Sequence, residues 1–183
     1  MRSIKFYFIA LISTCYFLAE TSCNNLNQLD PRAKLVIKST DKMLRGVQFD
    51  ESLKAVKNYE DGELIKEFED YLSFKINLDT IYPGEQIDAE YFFNNRDQLD
   101  LIIVFYSLQN KNEIEPLVTD LKQYFERKYG IANEDEIGWY NWEFESKTGL
   151  PGSIEINLVS ETEEGYMGVE VEMLKYYEFE KNS

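Results

Sequence analysis

Histidine is absent from the 183 residues, and the two cysteines, Cys15 and Cys23, both lie near the start of the chain. The first absence removes the commonest general base and metal ligand. The second leaves the body of the chain without a thiol, so no disulfide, soft-metal site or cysteine nucleophile can be built there. Neither a Gly-x-Ser-x-Gly elbow, a Walker loop, a His-Glu-x-x-His helix nor a paired-cysteine metal motif occurs. No cofactor and no metal site are implied. Positive charge is scarce as well: 19 Lys and Arg stand against 34 Asp and Glu. Nucleic-acid binding draws on basic contacts to phosphate, so this balance argues against DNA or RNA as a partner. It argues equally against an anionic lipid surface, and it favours a basic partner, cations or plain solubility.

What is present begins with residues 1–25. Arg2 and Lys5 supply a small positive charge, an apolar run extends from Ile4 to Ala19, broken only by Lys5, Ser13, Thr14 and Cys15, and the segment ends at Thr21-Ser22-Cys23-Asn24-Asn25. This is the order of a secretory leader. The run is shorter than the roughly 20 apolar residues of a spanning helix, and no later segment approaches that length. Thr21, Ser22 and Cys23 resemble a bacterial lipoprotein lipobox, with Glu20 standing where that motif carries an aliphatic residue. Ile12-Ser13-Thr14-Cys15 offers the aliphatic residue but leaves Tyr16-Phe17-Leu18 behind the new N-terminus, so Cys23 is the preferred site. Ordinary cleavage near Ala19 to Thr21, giving a secreted protein, is the alternative. The resemblance implies a diacylglycerol thioether and an N-acyl chain on Cys23, hence a lipid-anchored protein of the bacterial outer membrane, facing the periplasm or the surface. Residues 1–22 are then signal peptide and 23–32 a tether. Arg2, Lys5 and Glu20 leave with the leader, so the mature chain keeps 17 basic and 33 acidic residues.

The body, residues 33–177, reads as one α+β domain, with 178–183 a frayed tail. Asp30-Pro31 can cap a helix carrying Ala33, Val36, Ile37, Thr40 and Leu44 toward a stop at Gly46. Asp50 can cap a second helix with Leu53, Val56 and Tyr59 on one face; Leu64, Ile65 and Phe68 then lie in a connector. Three strands follow by alternation: Leu72, Phe74, Ile76 and Leu78; Ile87, Ala89, Tyr91 and Phe93; and Leu99 to Leu108, which turns apolar on both sides and reads as central and covered on both faces. Asn112, with Glu115 and Pro116, opens the clearest helix, striped by Ile114, Leu117, Val118, Leu121, Tyr124 and Phe125 and stopped by Gly130. Three more strands carry Tyr140, Trp142 and Phe144; Ile154, Ile156 and Leu158; and Met167, Val169, Val171 and Met173 inward.

The order suggests two helix-plus-three-strand units, about 46–108 and 112–174, forming one antiparallel sheet with helices on one face. The stretch Gly46-Val47-Gln48-Phe49-Asp50-Glu51-Ser52-Leu53-Lys54-Ala55-Val56 is similar to the glycine-turn entry of the helix-plus-hairpin repeats in beta-lactamase-inhibitor-protein-like proteins and small outer-membrane-assembly lipoproteins. The Gly-x-Pro that usually follows that helix is missing here.

Outward positions of the last three strands carry Glu143, Glu145, Glu155, Glu170 and Glu172, with Trp139 just before them. They read as a docking surface for a basic partner or a weak cation site, or else as a solvated face that discourages strand-edge pairing. Asn133-Glu134-Asp135-Glu136 and Glu161 to Gly165 lack the ligand spacing of a calcium loop. Three functions remain open: a non-catalytic interaction module of the envelope, an inhibitor or immunity protein covering a cationic active site, and a carboxylate-dependent hydrolase. No positive feature marks an enzyme.

Overall fold

A computed structural model describes residues 29–136, 138–145, 149, 151–159 and 167–176. The leader, both cysteines, the Glu161–Gly165 segment and the charged tail lie outside the described residues. Asp30 does start a helix, α1 (Pro31–Ile37): its side chain accepts from the Arg32 N–H at 2.8 Å, and Pro31 occupies the first turn. The helix stops at Lys38, whose φ is 61°, well short of Gly46. Thr40 and Leu44 therefore lie in an irregular segment, which turns back through a Leu44–Val47 bridge so that Met43, Leu44, Val47 and Phe49 reach the core.

The second helix, α2 (Leu53–Tyr59), is capped by Ser52, whose hydroxyl accepts from the Ala55 N–H at 3.3 Å. Asp50 is not the cap; it takes φ 67° and receives Lys175 instead. Val56 is buried, but Tyr59 is half exposed. The connector after it is a strand, β1 (Glu63–Phe68), which pairs with β2 (Tyr71–Asn77). β3 (Gln86–Phe93) and β4 (Leu99–Leu108) continue the meander. A 3-10 turn, Lys111–Glu113, capped by Asn110, precedes the long helix α3 (Ile114–Tyr129), whose own N-cap is Glu113 with no side-chain cap hydrogen bond; Asn112 caps neither. Gly130 ends α3 at φ 98°, where glycine carries no Cβ penalty. β5 (Asn133–Glu134), β6 (Tyr140–Glu145), β7 (Pro151–Val159) and β8 (Met167–Lys175) complete the chain.

All eight strands form one antiparallel sheet in the order β1-β2-β3-β4-β8-β7-β6-β5, two strands more than the alternation indicates. The inward residues of β2, β3, β4, β6, β7 and β8 meet the buried residues of all three helices in one core. Trp142, 2% exposed, is wedged beside Phe125, and its Nε1 donates to the Gly130 carbonyl at 2.9 Å. Leu158 departs from the inward pattern and is 47% exposed.

Two buried arginine–glutamate–tyrosine clusters fasten the segment 29–50 to this sheet. Arg45 Nε donates to Glu60 Oε2 at 3.1 Å, and the Tyr91 hydroxyl donates to the same oxygen at 2.6 Å. Arg32 grips Glu85 with Nε and Nη2 at 2.9 and 3.0 Å, the Tyr106 hydroxyl donates to Glu85 at 2.8 Å, and the guanidinium stacks over Tyr82. Burial opposes the Glu60 charge, but Arg45 and the Tyr91 hydroxyl outweigh it and bring the carboxyl down to about 2.

Breaking a buried pair is costly even though Lys38 Nζ still reaches Glu60 at 3.2 Å, so Arg45→Met should destabilise by about 3 kcal/mol, the low end for such pairs. Lys57→Met, which removes the exposed Lys57–Glu67 pair, should change stability by less than about 1 kcal/mol. Urea midpoints compare the two. The depressed Glu60 value also sets a sign: its contribution is full above the unfolded range near 4.5 and drains away as pH falls toward 2. An acid titration of stability should lose that step in Glu60→Gln.

Candidate functional site: the open face of the sheet

Because all three helices enter the same core, no described helix lies over the opposite face of the sheet. The ladders arrange that face in rows across the strands. One row runs Tyr71, Phe92, Leu101, Leu174, Ser153, Glu143. The next runs Ser73, Glu90, Ile103, Glu172, Glu155, Asn141. A third runs Lys75, Asp88, Phe105, Glu170, Asn157. β4 is central, as its composition indicates, but Leu101, Ile103 and Phe105 are only half-buried. They form an apolar stripe flanked by Phe92 and Leu174. Phe105 also lies over Gly168, where a Cβ would come within 2.7 Å of its ring. The stripe continues to the β1 edge through Tyr71, whose ring lies 4.9 Å from Phe92 and 6.0 Å from the exposed Phe68.

Carboxylates border the stripe on both sides. Glu90 accepts from the Tyr71 hydroxyl at 2.7 Å, and Asp88 accepts from Gln86 Nε2 at 2.8 Å. On the far side Glu155 and Glu172 stand directly opposite each other, and Glu170 stands opposite Asn157. The described ion pairs use Arg32, Lys38, Lys42, Arg45, Lys57 and Lys175, and none reaches these carboxylates. Lys66 and Lys75 sit at the β1–β2 side, where Glu63 and Asp88 are the cross-strand neighbours of Lys75. Partial burial, then the charges of Glu155 and Glu170, raise the Glu172 carboxyl above its ordinary value.

Of the residues singled out in the sequence, Glu155, Glu170 and Glu172 come together on this face. Glu143 is on the same face, one row away, and Glu145 closes the β6–β7 ladder opposite Pro151, away from that cluster. Trp139 precedes β6 and sits in the β5–β6 turn, where its N–H bonds Asp135 at 2.9 Å. It is 37% exposed, and the β6–β7 register extended by one residue brings it level with Asn157. The Asn133–Glu136 cluster is partly consumed by the same turn. Among the described residues no three carboxylates converge closely enough to hold a metal ion.

What residue order does not reveal is the pair of buried polar atoms left without partners. Ser107 Oγ, on a residue 1% exposed, and Asn157 Oδ1, on a residue 6% exposed, accept and donate nothing. Both residues point to the open face. Alternation places them outward, but burial of an outward asparagine depends on its neighbours. A separate groove of about 660 Å³ runs between the start of α3 and β6–β8, lined by Ile114, Val118, Tyr140 and Leu158 among others, and Glu115 is the one described carboxylate in it. It supplies no carboxylate pair for hydrolysis. No described helix is long and apolar enough to cross a membrane.

Searches against protein-family models, curated proteins and solved structures return no match for this chain.

Like charges directly opposed across strands destabilise by about 0.2–1 kcal/mol. Glu172→Gln should therefore raise the urea midpoint at neutral pH. The raised carboxyl gives the matching sign: its penalty is full above the folded value and is relieved as pH falls through it toward the ordinary glutamate range. The stability difference between wild type and Glu172→Gln should shrink over that interval; a variant less stable than wild type would show that Glu172 is held by attraction.

Proposed function

We propose that this protein is a lipid-anchored, non-catalytic component of a bacterial envelope that binds another protein through the open face of its sheet. The observation that carries the reading is the half-buried stripe of Phe92, Leu101, Ile103, Phe105 and Leu174 bordered by carboxylates that no described ion pair reaches. A rimmed apolar patch of this kind marks interaction surfaces. An inhibitor or immunity protein would use the same surface against a cationic active site, and the identity of the captured partner separates the two.

The strand order supports a repeat. α2 leads into β1–β4 and α3 into β5–β8, and the last strands of the two runs, β4 and β8, meet at the centre of the sheet. Each proposed unit of a helix and three long strands thus carries one further strand at the outer edge, β1 or β5. The anchor reading rests on the leader and Cys23. Five residues separate Cys23 from Leu29, a reach of about 20 Å when extended. Leu29 is buried in the core on the helix side. A tether at Cys23 would therefore enter the described domain on the helix side, opposite the open face. Several acyl chains together hold such a protein stably, where one would not.

Cys23→Ser should move the protein from the membrane to the soluble fraction, and retention on the membrane would sink the anchor. A photo-cross-linking phenylalanine analogue at position 92 or 103 should trap an envelope protein, while the same group at position 123, on the exposed side of α3, should not. Adducts from position 123 alone would overturn the docking surface.

A further inference from the structure

We infer that the corner of the open face formed by Asn157, Glu155, Glu170 and Glu172 receives an arginine side chain from a basic partner protein. This rests on reading the open face as a docking surface, and it names the chemistry that surface selects. Asn157 Nδ2 donates to Glu170 Oε1 at 3.3 Å, while its Oδ1 accepts no hydrogen bond despite being buried. A buried acceptor left bare is unfavourable, and a donor that reached it on binding would relieve that. Two residues further along β7 and β8, Glu155 and Glu172 face each other. Glu155, Glu170 and Glu172 thus present acceptors around the buried Asn157, and no described ion pair neutralises them.

The donor they suit is planar and carries several N–H groups in one plane. A guanidinium has five, arranged as a fork that grips a carboxylate with two bonds. A bare metal ion does not fit, since no three carboxylates there converge on a point. The cross-strand neighbours of Glu170 and Glu172 on β4 are Phe105 and Ile103. They offer an apolar floor for the arginine stem and an aromatic ring for its head. The more strongly hydrated ammonium of lysine gains less from that setting. Glu172, with its raised carboxyl, is relieved when a cation arrives. The apolar stripe leads away from this corner across the width of the sheet, so the arginine belongs to a protein surface with apolar residues beside it.

The test uses the purified, 15N-labelled protein and a synthetic peptide of alternating arginine and leucine, with lysine and citrulline counterparts. The arginine peptide should shift the side-chain amide of Asn157 and the backbone amides of Glu155, Glu170 and Glu172. The lysine peptide should bind several-fold more weakly and the citrulline peptide not measurably. The triple variant Glu155→Gln, Glu170→Gln, Glu172→Gln should weaken the arginine peptide about tenfold or more, the scale of a lost charge-assisted contact, while unfolding no earlier than wild type. A control of equal charge, Glu63→Gln, Glu67→Gln, Glu69→Gln near the β1 edge, should leave affinity within about twofold. Equal binding of the lysine peptide, an equal loss in the control, or shifts confined to the helix layer would each overturn the arginine site. If the partner cross-linked from positions 92 and 103 is still captured undiminished by the triple variant, the arginine site falls and the docking surface stands.

Discussion

Glu60 and Glu85 are the two carboxylates that decide where the segment 29–50 lies. Each receives an arginine from that segment and a tyrosine hydroxyl from the inward face of the sheet, Tyr91 on β3 and Tyr106 on β4. Removing Arg32 leaves Glu85 with only the Tyr106 hydroxyl among its described partners, and removing Arg45 leaves Glu60 with the half-buried Lys38 at 3.2 Å and the Tyr91 hydroxyl, so segment and sheet are bound to one arrangement. With that segment in place, Leu29, Val36, Ile37, Leu44 and Phe49 complete the core. Lys175 adds a brace from β8 to Asp50 at 2.7 Å, and Lys128 on α3 donates to the Lys42 carbonyl at 2.6 Å. A short helix and an irregular loop are thereby held as firmly as a longer element would be.

The same constraint fixes the asymmetry of the sheet. The segment 29–50 and the three helices all cover one face, and the described ion pairs cluster with them. Most of the scarce positive charge is spent on the covered side. Among the described residues, the other side carries Lys66 and Lys75 near one edge, with Glu63 beside them, and carboxylates across β3, β8 and β7. In a chain whose acidic residues outnumber its basic ones by 15, this concentrates negative potential on the open face. Such a field steers a cationic partner toward one orientation before any contact forms.

Six of the eight strands are legible in the sequence, five from alternation of inward apolar and outward residues and β4 from its continuous apolar run. β1 is not, since it is an edge strand exposed along almost its whole length, and alternation has nothing to mark there. β5, two residues long, is below any periodic signal. The α1 start was readable from Asp30-Pro31, but its end was not: the turn falls at Lys38 with positive φ, and Gly46 drew the boundary too far. The arginine–glutamate clusters were invisible for another reason. Arg32 and Glu85 are 53 residues apart, and nothing local picks Glu85 out of 34 acidic residues. The glutamates of the open face could be assigned to it by counting along β7 and β8, and their direct opposition then follows only from the register. That register could not be read from pattern alone.

A face that merely keeps sheet edges from aggregating needs charge, and the glutamates would suffice for it. It does not need Phe92, Leu101, Ile103, Phe105 and Leu174 half-buried at its centre, nor does it gain from Glu155 set against Glu172. It gains nothing from an asparagine buried with its carbonyl oxygen bare. Each of these lowers the stability of the isolated protein or leaves apolar area in water, and solvation alone explains none of them. A partner that carries both a cation and apolar surface removes the three penalties together. The features that distinguish docking from solvation are therefore the apolar stripe and Asn157, while the glutamates, common to both readings, decide only the sign of the partner's charge.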